Sequence, residues 1–136
     1  MYYYAIFTKE EEAIHVSFPD LPGVSVSAYS QRKAMVRAER WLLYAIDRAF
    51  ERGEAFPEPR PGRPGETAVY LSELVYLKIL LHNKLLELGI SREELAEGIR
   101  ANERQMFRLF NIYRQVHLDL LAKAFTFLGT PLKISI

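Results

Sequence analysis

The sequence predicts an α+β protein in which a small β-sheet unit precedes an all-helical unit that ends in a short strand. Runs of alternating, aromatic and β-branched residues occupy the first 29 positions, and such runs are typical of strands. Leucines recur at three- and four-residue steps over residues 74–88, and apolar side chains keep a helical spacing in the segments that follow, as in amphipathic helices. Four prolines and two glycines within residues 57–65 separate the two regions, because neither a helix nor a central strand tolerates that composition.

Three strands and one helix are predicted in the first unit. Residues 2–7 are aromatic and apolar, whereas residues 13–18 and 24–29 alternate apolar and polar side chains. Ser30 is a suitable N-cap for a long helix with one apolar stripe, and Gly53 is a suitable end. We therefore expect a β-β-β-α unit whose sheet has exposed edges, and such an edge can dock another chain.

Four helices are predicted in the second unit. The first begins near Ser72 and ends at Gly89. Ser91 and Glu94 have the spacing of a capping box at the start of the second helix, and Asn102 is a suitable cap for the third. Local capping signals thus divide this region into short, well-bounded helices.

The middle of this region has the pattern of a helix-turn-helix. Two short helices over residues 91–98 and 102–110, joined by a tight turn and packed on a longer helix, are typical of that motif. A plain helical bundle has the same spacing and remains the alternative. A fourth helix over residues 119–128 and a short alternating strand over residues 132–136 complete the chain.

Charge is nearly balanced overall but unevenly distributed. The 136 residues carry a net charge of +1, which excludes a histone-like polycation. Residues 1–58 hold seven basic and nine acidic side chains, whereas residues 100–136 hold six basic and two acidic ones. An acidic front and a basic end indicate two different partners. The N-terminus has no secretory signal pattern, and polar side chains interrupt the apolar stretch over residues 74–88, so a cytoplasmic protein without a membrane span is expected.

Nothing in the sequence favours catalysis, a metal or a cofactor. The absence of cysteine excludes disulfides, Cys-ligated zinc and a thiol nucleophile. A ribonuclease H site needs several carboxylates around two metals, yet residues 2–7 carry none, and Asp20 and Asp47 are not expected on one face. No phosphate-binding or dinucleotide-binding glycine pattern occurs. No metal-ligand spacing relates the three histidines, which are His15, His82 and His117.

Two blocks of sequence together resemble the HicB antitoxins of bacterial toxin–antitoxin pairs. The first block is VSFPDLPGVSV, followed by the long helix and FPEP. The second comprises KILLHNKLLELGISREELAEGI, RQMFRLFN and LDLLAKAFTFLGTPLKISI. The blocks occur in the family's order over nearly the whole chain. The resemblance is specific because both blocks are present, whereas FPDLPG alone would be a weak signal.

The resemblance implies a function for each part of the chain. Residues 1–56 would form a truncated ribonuclease H-like domain that covers the active site of HicA, an mRNA-cleaving ribonuclease toxin with a double-stranded-RNA-binding fold. Residues 57–67 would be a linker. Residues 68–136 would form a helix-turn-helix domain that dimerises, with a tetramer also possible, and represses the operon by binding operator DNA. An antitoxin of this kind is not an enzyme and needs no cofactor.

The resemblance also implies which residues contact each partner. Met106, Leu109 and Phe110 would take core positions. The predicted DNA contacts on the recognition helix are Asn102, Glu103, Arg104, Gln105, Phe107 and Arg108, with a solvated helix face as the alternative for the two arginines. From their charge, Arg100 and Arg114 are candidate phosphate contacts, with a simple surface role as the alternative. Asp20 and Tyr29 are candidate toxin contacts, with a loop-forming role for Asp20 and a simple surface role for Tyr29 as the alternatives. Residues 132–136 could pair with their symmetry mate.

One departure from the family pattern falls in the turn of the motif. Arg100 occupies a position where the family usually has glycine, and a non-glycine residue in the left-handed region costs about 1–2 kcal/mol. We therefore expect either strain at Arg100 or a turn reshaped around Gly98. Two other functions remain as alternatives. The chain could be a stand-alone repressor with an oligomerisation or sensing domain in front, or an enzyme of ribonuclease H type.

Overall fold

The computed structural model describes residues 1–23 and 25–132. The predicted start of the third strand at Val24, and residues 133–136 of the predicted last strand, lie outside the described residues. No helix in the described part of the chain is long and apolar enough to cross a membrane. The elements in chain order are β1 (Tyr2–Glu10), β2 (Ala13–Ser17), β3 (Ser25–Ala28), α1 (Gln31–Arg52), β4 (Thr67–Tyr70), α2 (Glu73–Leu88), α3 (Arg92–Ile99), α4 (Glu103–Phe110) and α5 (Leu118–Phe127).

The sheet is antiparallel and has the strand order β3-β2-β1-β4. The predicted meander of three strands is present, but a fourth strand, β4, pairs with β1 in the register Tyr3 opposite Val69. Its four residues are too short to give a clear alternating pattern, so the sequence did not reveal it. The edges of the sheet are therefore β3 and β4, and β1 lies in the interior.

The first unit has its core on one face of this sheet. The buried sheet residues Tyr3, Ala5, Val16, Ala28 and Val69 share that face in the observed register. Helix α1 supplies a buried stripe of small and apolar side chains, and Phe18 stacks on its Trp41 with ring centroids 5.2 Å apart. The buried stripe of α1 in this unit consists of Ala34, Ala38 and Leu42.

Both predicted ends of α1 are confirmed. The Ser30 hydroxyl accepts a hydrogen bond from the Lys33 amide at 3.2 Å, as an N-cap side chain does. Gly53 follows the helix with a φ of 64°, a value that glycine adopts without the steric penalty of a side chain.

The predicted linker is held against the sheet. Pro57 accepts a hydrogen bond through its carbonyl from the Tyr3 hydroxyl at 2.6 Å. Gly62 lies so close to the Tyr4 ring that an added Cβ would come within 2.5 Å of it. These contacts position the chain to enter β4, which explains why this segment is not a free spacer.

In the described part of the second unit, helices α2 to α5 pack around an apolar core. The capping box of Ser91 and Glu94 at α3 is present as predicted, and Asn102 caps α4. Buried His82 stacks on Phe50 with ring centroids 4.3 Å apart and lies 2.8 Å from the Glu54 carbonyl, so its role is structural. The buried core residues of the cluster are Leu81, Leu85, Leu95, Ile99, Leu109, Phe110, Leu121, Ala124, Phe125 and Leu128.

The turn between α3 and α4 keeps Arg100 in the left-handed region. Arg100 has φ 55° and ψ 43°, and the Ala101 amide donates to the Ala96 carbonyl at 2.9 Å. The alternative in which Gly98 reshapes the turn is wrong, because Gly98 lies within α3. There it faces the Phe127 ring at a distance that leaves no space for a Cβ.

Each of the two compact units is discontinuous in sequence. The first comprises Met1–Ala45 and Pro57–Glu73, and the second comprises Ile46–Phe56 and the chain from Leu74 onward. This division differs from the expected boundaries after residues 56 and 67. The linker segment and β4 belong to the first unit, and the C-terminal end of α1 belongs to the second.

Candidate functional site

The exposed side of α4 combines two arginines with one aromatic ring. Leu109 and Phe110 are buried and fix the inward side of the helix. Arg104, Phe107 and Arg108 are exposed. Their spacing at 100° per residue places the two arginines opposite those buried residues and Phe107 at the boundary beside them. The core therefore determines which predicted DNA contacts point outward.

Two other predicted DNA contacts, Asn102 and Gln105, use their side-chain oxygens to cap α4. The Asn102 side chain accepts a hydrogen bond from the Gln105 amide at 2.8 Å, and the Gln105 side-chain oxygen accepts one from the Asn102 amide at 2.9 Å. The side-chain amide groups of these residues are left to donate to a partner. Glu103 is exposed in the first turn of α4, where its charge suits the positive end of the helix dipole.

Two shallow concave surfaces meet at Arg104 and Arg108. The first surface is bordered by Phe107, Arg108, Tyr113, Arg114 and Gln115 in addition to Arg104. The second lies toward α5 and includes His117, Asp119 and Lys123. Lys123 contributes to the positive charge of the chain's end, but its sequence position alone did not place it beside α4.

The four arginines predicted to contact DNA are all exposed. Arg100, Arg104, Arg108 and Arg114 make no salt bridge with any carboxylate within residues 1–23 and 25–132. Their guanidinium groups are therefore available for phosphate oxygens or for guanine O6 and N7, which a guanidinium fork can bind through two hydrogen bonds.

A buried lysine anchors the segment that follows α4. The Lys78 ammonium donates hydrogen bonds to the carbonyls of Asn111 and Arg114, each at 2.7 Å. Burial lowers the pKa of Lys78 to about 8. Lys78 thereby fixes the backbone that presents Tyr113 and Arg114. The sequence signal for this anchor is a lysine in a largely apolar stretch of α2. That pattern does not show which backbone carbonyls the lysine contacts.

A second candidate surface lies in the first unit, on the face of the sheet opposite its core. Tyr29 is 79% exposed and borders a concave surface with the acidic turn of residues 10–12 and His15. His15 lies 3.4 Å from the Glu10 carboxylate. Further along the same face, Tyr2 and Tyr70 are half exposed and form an edge-to-face pair. This face therefore combines tyrosines with negative charge.

Asp20, the other candidate toxin contact, is engaged within the first unit. Its carboxylate pairs with Arg60 at 2.9 Å, and Arg60 also pairs with Glu66 through two hydrogen bonds of 2.8 Å. The hydrogen bonds from Arg60 hold the pKa of Glu66 near 2, well below its usual range. Asp20 thus fixes the Pro-Asp-Leu-Pro-Gly loop to the segment before β4.

No group of three or more potential metal ligands occurs among the described residues. His15 and His82 lie in separate units, and His117 borders the surface beside α4 that also includes the Asp119 carboxylate.

Comparison with known proteins identifies relatives along nearly the whole chain. Residues 2–80 match the model of a family described as the HicB_like antitoxin of bacterial toxin-antitoxin system. Antitoxin HicB of Escherichia coli (strain K12) is 32% identical over 119 residues, which cover 88% of this chain and 86% of that protein. Antitoxin HicB 2 of Photorhabdus laumondii subsp. laumondii is 28% identical over 134 residues, or 98% of this chain and 95% of that protein.

Proposed function

Because the chain belongs to the HicB-like antitoxin family, we propose that it neutralises a HicA-type mRNA-cleaving ribonuclease and represses its own operon by binding operator DNA. Membership of a family of antitoxins, which are not catalytic, confirms the prediction that the chain is not an enzyme and gives it a toxin as partner. We also propose that the toxin is of the HicA type, that the DNA target is the operator of the chain's own operon, and that the protein acts in the cytoplasm. The observation that carries the DNA-binding part is the set of exposed arginines around α4.

In this proposal α3 and α4 form a helix-turn-helix whose second helix enters the major groove. Arg104 and Arg108 project from the exposed side of α4, where such a helix presents its base-reading residues. Arg100 and Arg114 lie before and after α4, so they can contact phosphates on either side of the groove. A homodimer would hold two half-sites of a palindromic operator about one helical turn apart.

The salt dependence of operator binding tests this arrangement. We expect the double substitution Arg104→Ala and Arg108→Ala to weaken binding and to reduce the slope of log K against log salt by about 0.9 for each phosphate no longer neutralised. The matched control is Arg32→Ala with Lys33→Ala, two exposed cations at the start of α1. Equal slopes for both double variants would contradict the assignment of α4, and unaltered toxin binding would show that the variants are folded.

The toxin is proposed to dock on the exposed face of the sheet beside Tyr29. Tyrosine is favoured at protein interfaces because its ring supplies contact area and its hydroxyl supplies a hydrogen bond. The adjoining acidic turn complements a positively charged nuclease, as an RNA-cleaving protein is expected to be. Asp20 does not border this surface, and its carboxylate pairs with Arg60.

Co-expression with the short reading frame beside the gene tests the toxin part. We expect the wild-type chain to restore growth and to co-purify with the toxin. If Tyr29 lies at the centre of the interface, Tyr29→Ala should weaken the complex about tenfold, the effect of removing a tyrosine hot spot. Tyr113→Ala, which removes another exposed tyrosine, this one from the second unit, is the matched control. Operator binding without any toxin complex would instead identify a stand-alone repressor.

A further inference from the structure

Phe107 is a large apolar side chain that α4 leaves in solvent. It is 56% exposed, although the next two positions of the helix that face inward, Leu109 and Phe110, are buried in the core. A single exposed hydrophobic residue is ordinary on a protein surface. Phe107, however, borders the same concave surface as Arg104, Arg108 and Arg114.

The neighbours of Phe107 restrict what can cover it. A surface that holds three exposed guanidinium groups repels a cationic partner and attracts a polyanion. The aromatic ring of Tyr113 lies at the same surface and is 60% exposed. Arginines interspersed with aromatic rings on one side of a helix fit a nucleic acid better than a second apolar protein surface.

The chemistry of the ring then selects one feature of DNA. A phenyl side chain has no hydrogen-bond donor or acceptor, so it cannot read the polar code of the base edges. Thymine alone among the four standard bases presents an apolar group in the major groove, its C5-methyl. We propose that Phe107 is a specificity-determining residue that packs on a thymine methyl of the operator. This inference rests on the proposed DNA-binding function of α4.

The helix geometry also fixes where that thymine lies relative to the bases read by arginine. Phe107 follows Arg104 by three residues and precedes Arg108 by one, so the three side chains leave the helix within about 6 Å along its axis. That length corresponds to about two base-pair steps of 3.4 Å. The operator half-site should therefore contain a thymine within about two base pairs of a guanine contacted by Arg104 or Arg108.

Replacement of thymine by deoxyuridine removes the methyl and leaves the hydrogen-bonding groups intact. The operator is first located by footprinting of the full-length protein on the DNA upstream of its gene. Two versions of the protected duplex are then compared, one with thymine and one with deoxyuridine at every thymine position. We expect the wild-type protein to bind the deoxyuridine duplex about fourfold more weakly for each thymine methyl that packs on the protein.

Variants distinguish a contact by Phe107 from a general effect of the altered DNA. Phe107→Ala should bind the thymine duplex more weakly than wild type does, and should discriminate between the two duplexes about fourfold less for each methyl that Phe107 contacts. Arg104→Ala should bind both duplexes more weakly but retain the discrimination. Thermal unfolding checks that Phe107→Ala is folded, as its exposure predicts.

Each result leads to a different conclusion. If the wild-type protein binds the thymine duplex and the deoxyuridine duplex equally strongly, the proposed role of Phe107 is overturned. The repressor function is then left intact. Equal discrimination by wild type and Phe107→Ala also overturns it, because the methyl is then sensed elsewhere. Failure of the wild-type protein to bind any upstream DNA overturns the DNA-binding function and this inference together.

Discussion

Arg100 adopts a backbone conformation that glycine would adopt more easily. At φ 55° and ψ 43° it lies in the left-handed region, where an L-residue with a side chain is less stable by about 1–2 kcal/mol. The amides of Arg100 and Ala101 donate to carbonyls in the last turn of α3, so the turn cannot relax without breaking those hydrogen bonds. The strain is therefore held in the folded state.

Arg100→Gly should relieve this strain. Glycine adopts the left-handed conformation without this penalty. It also gives the unfolded chain more conformational freedom, which lowers the free energy of unfolding by about 0.5–1 kcal/mol. The difference predicts a rise of about 0.5–1 kcal/mol in the free energy of unfolding. Urea unfolding followed by the helical circular dichroism signal measures it, since α2 to α5 supply most of the helix in the second unit.

Arg100→Ala separates the backbone from the side chain. It removes the same guanidinium and keeps a Cβ in the left-handed region, so its stability should stay close to that of the wild type. Both variants should show the same fall in operator affinity and the same decrease in salt dependence if Arg100 contacts a phosphate. A glycine variant no more stable than the alanine variant would refute the argument from strain.

Two titratable groups give pH-dependent predictions. The unfolded chain binds the Lys78 proton more tightly than the folded chain, so the free energy of unfolding should rise between pH 8 and 10.5, by up to about 3 kcal/mol, relative to Lys78→Met. Parallel pH profiles for the two proteins in urea unfolding would contradict this. Glu66 is more acidic in the folded state, so its pairing with Arg60 should stabilise the chain above pH 4.5 and lose that effect as the pH falls toward 2. Glu66→Gln should flatten acid unfolding over that range, and an unchanged profile would show that the pair contributes nothing.

Local signals in the sequence were sufficient to place the helices. Ser30, Ser91 and Asn102 each satisfy an amide within the next three residues, so the information that starts α1, α3 and α4 lies beside the start. The glycines at helix ends act in the same local way. For this reason the predicted boundaries of these helices agree with the structure to within a residue or two.

Pairings between distant parts of the chain were not accessible in this way. Residues 67–70 pair with β1, more than 60 positions earlier, and nothing within those four residues specifies that partner. Arg60 likewise joins Asp20, 40 residues away, to Glu66. The proline-rich composition of the segment correctly excluded a helix, but a segment without secondary structure can still be fixed by its side chains. The sequence thus predicted the elements of the first unit more completely than their arrangement.

Three features around α4 run against local stability, and they occur together. Arg100 is strained just before the helix, Phe107 is an apolar side chain in solvent on it, and Lys78 is a buried cation that holds the backbone just after it. Glycine would suit the left-handed backbone at position 100 better, and the buried Lys78 ammonium carries a desolvation cost that its two hydrogen bonds offset only in part. Departures from local preference that converge on one surface are expected where a surface serves binding. Because strain and burial are independent of the arginine charges, they support, on separate physical grounds, the proposal that the surface around α4 binds a partner.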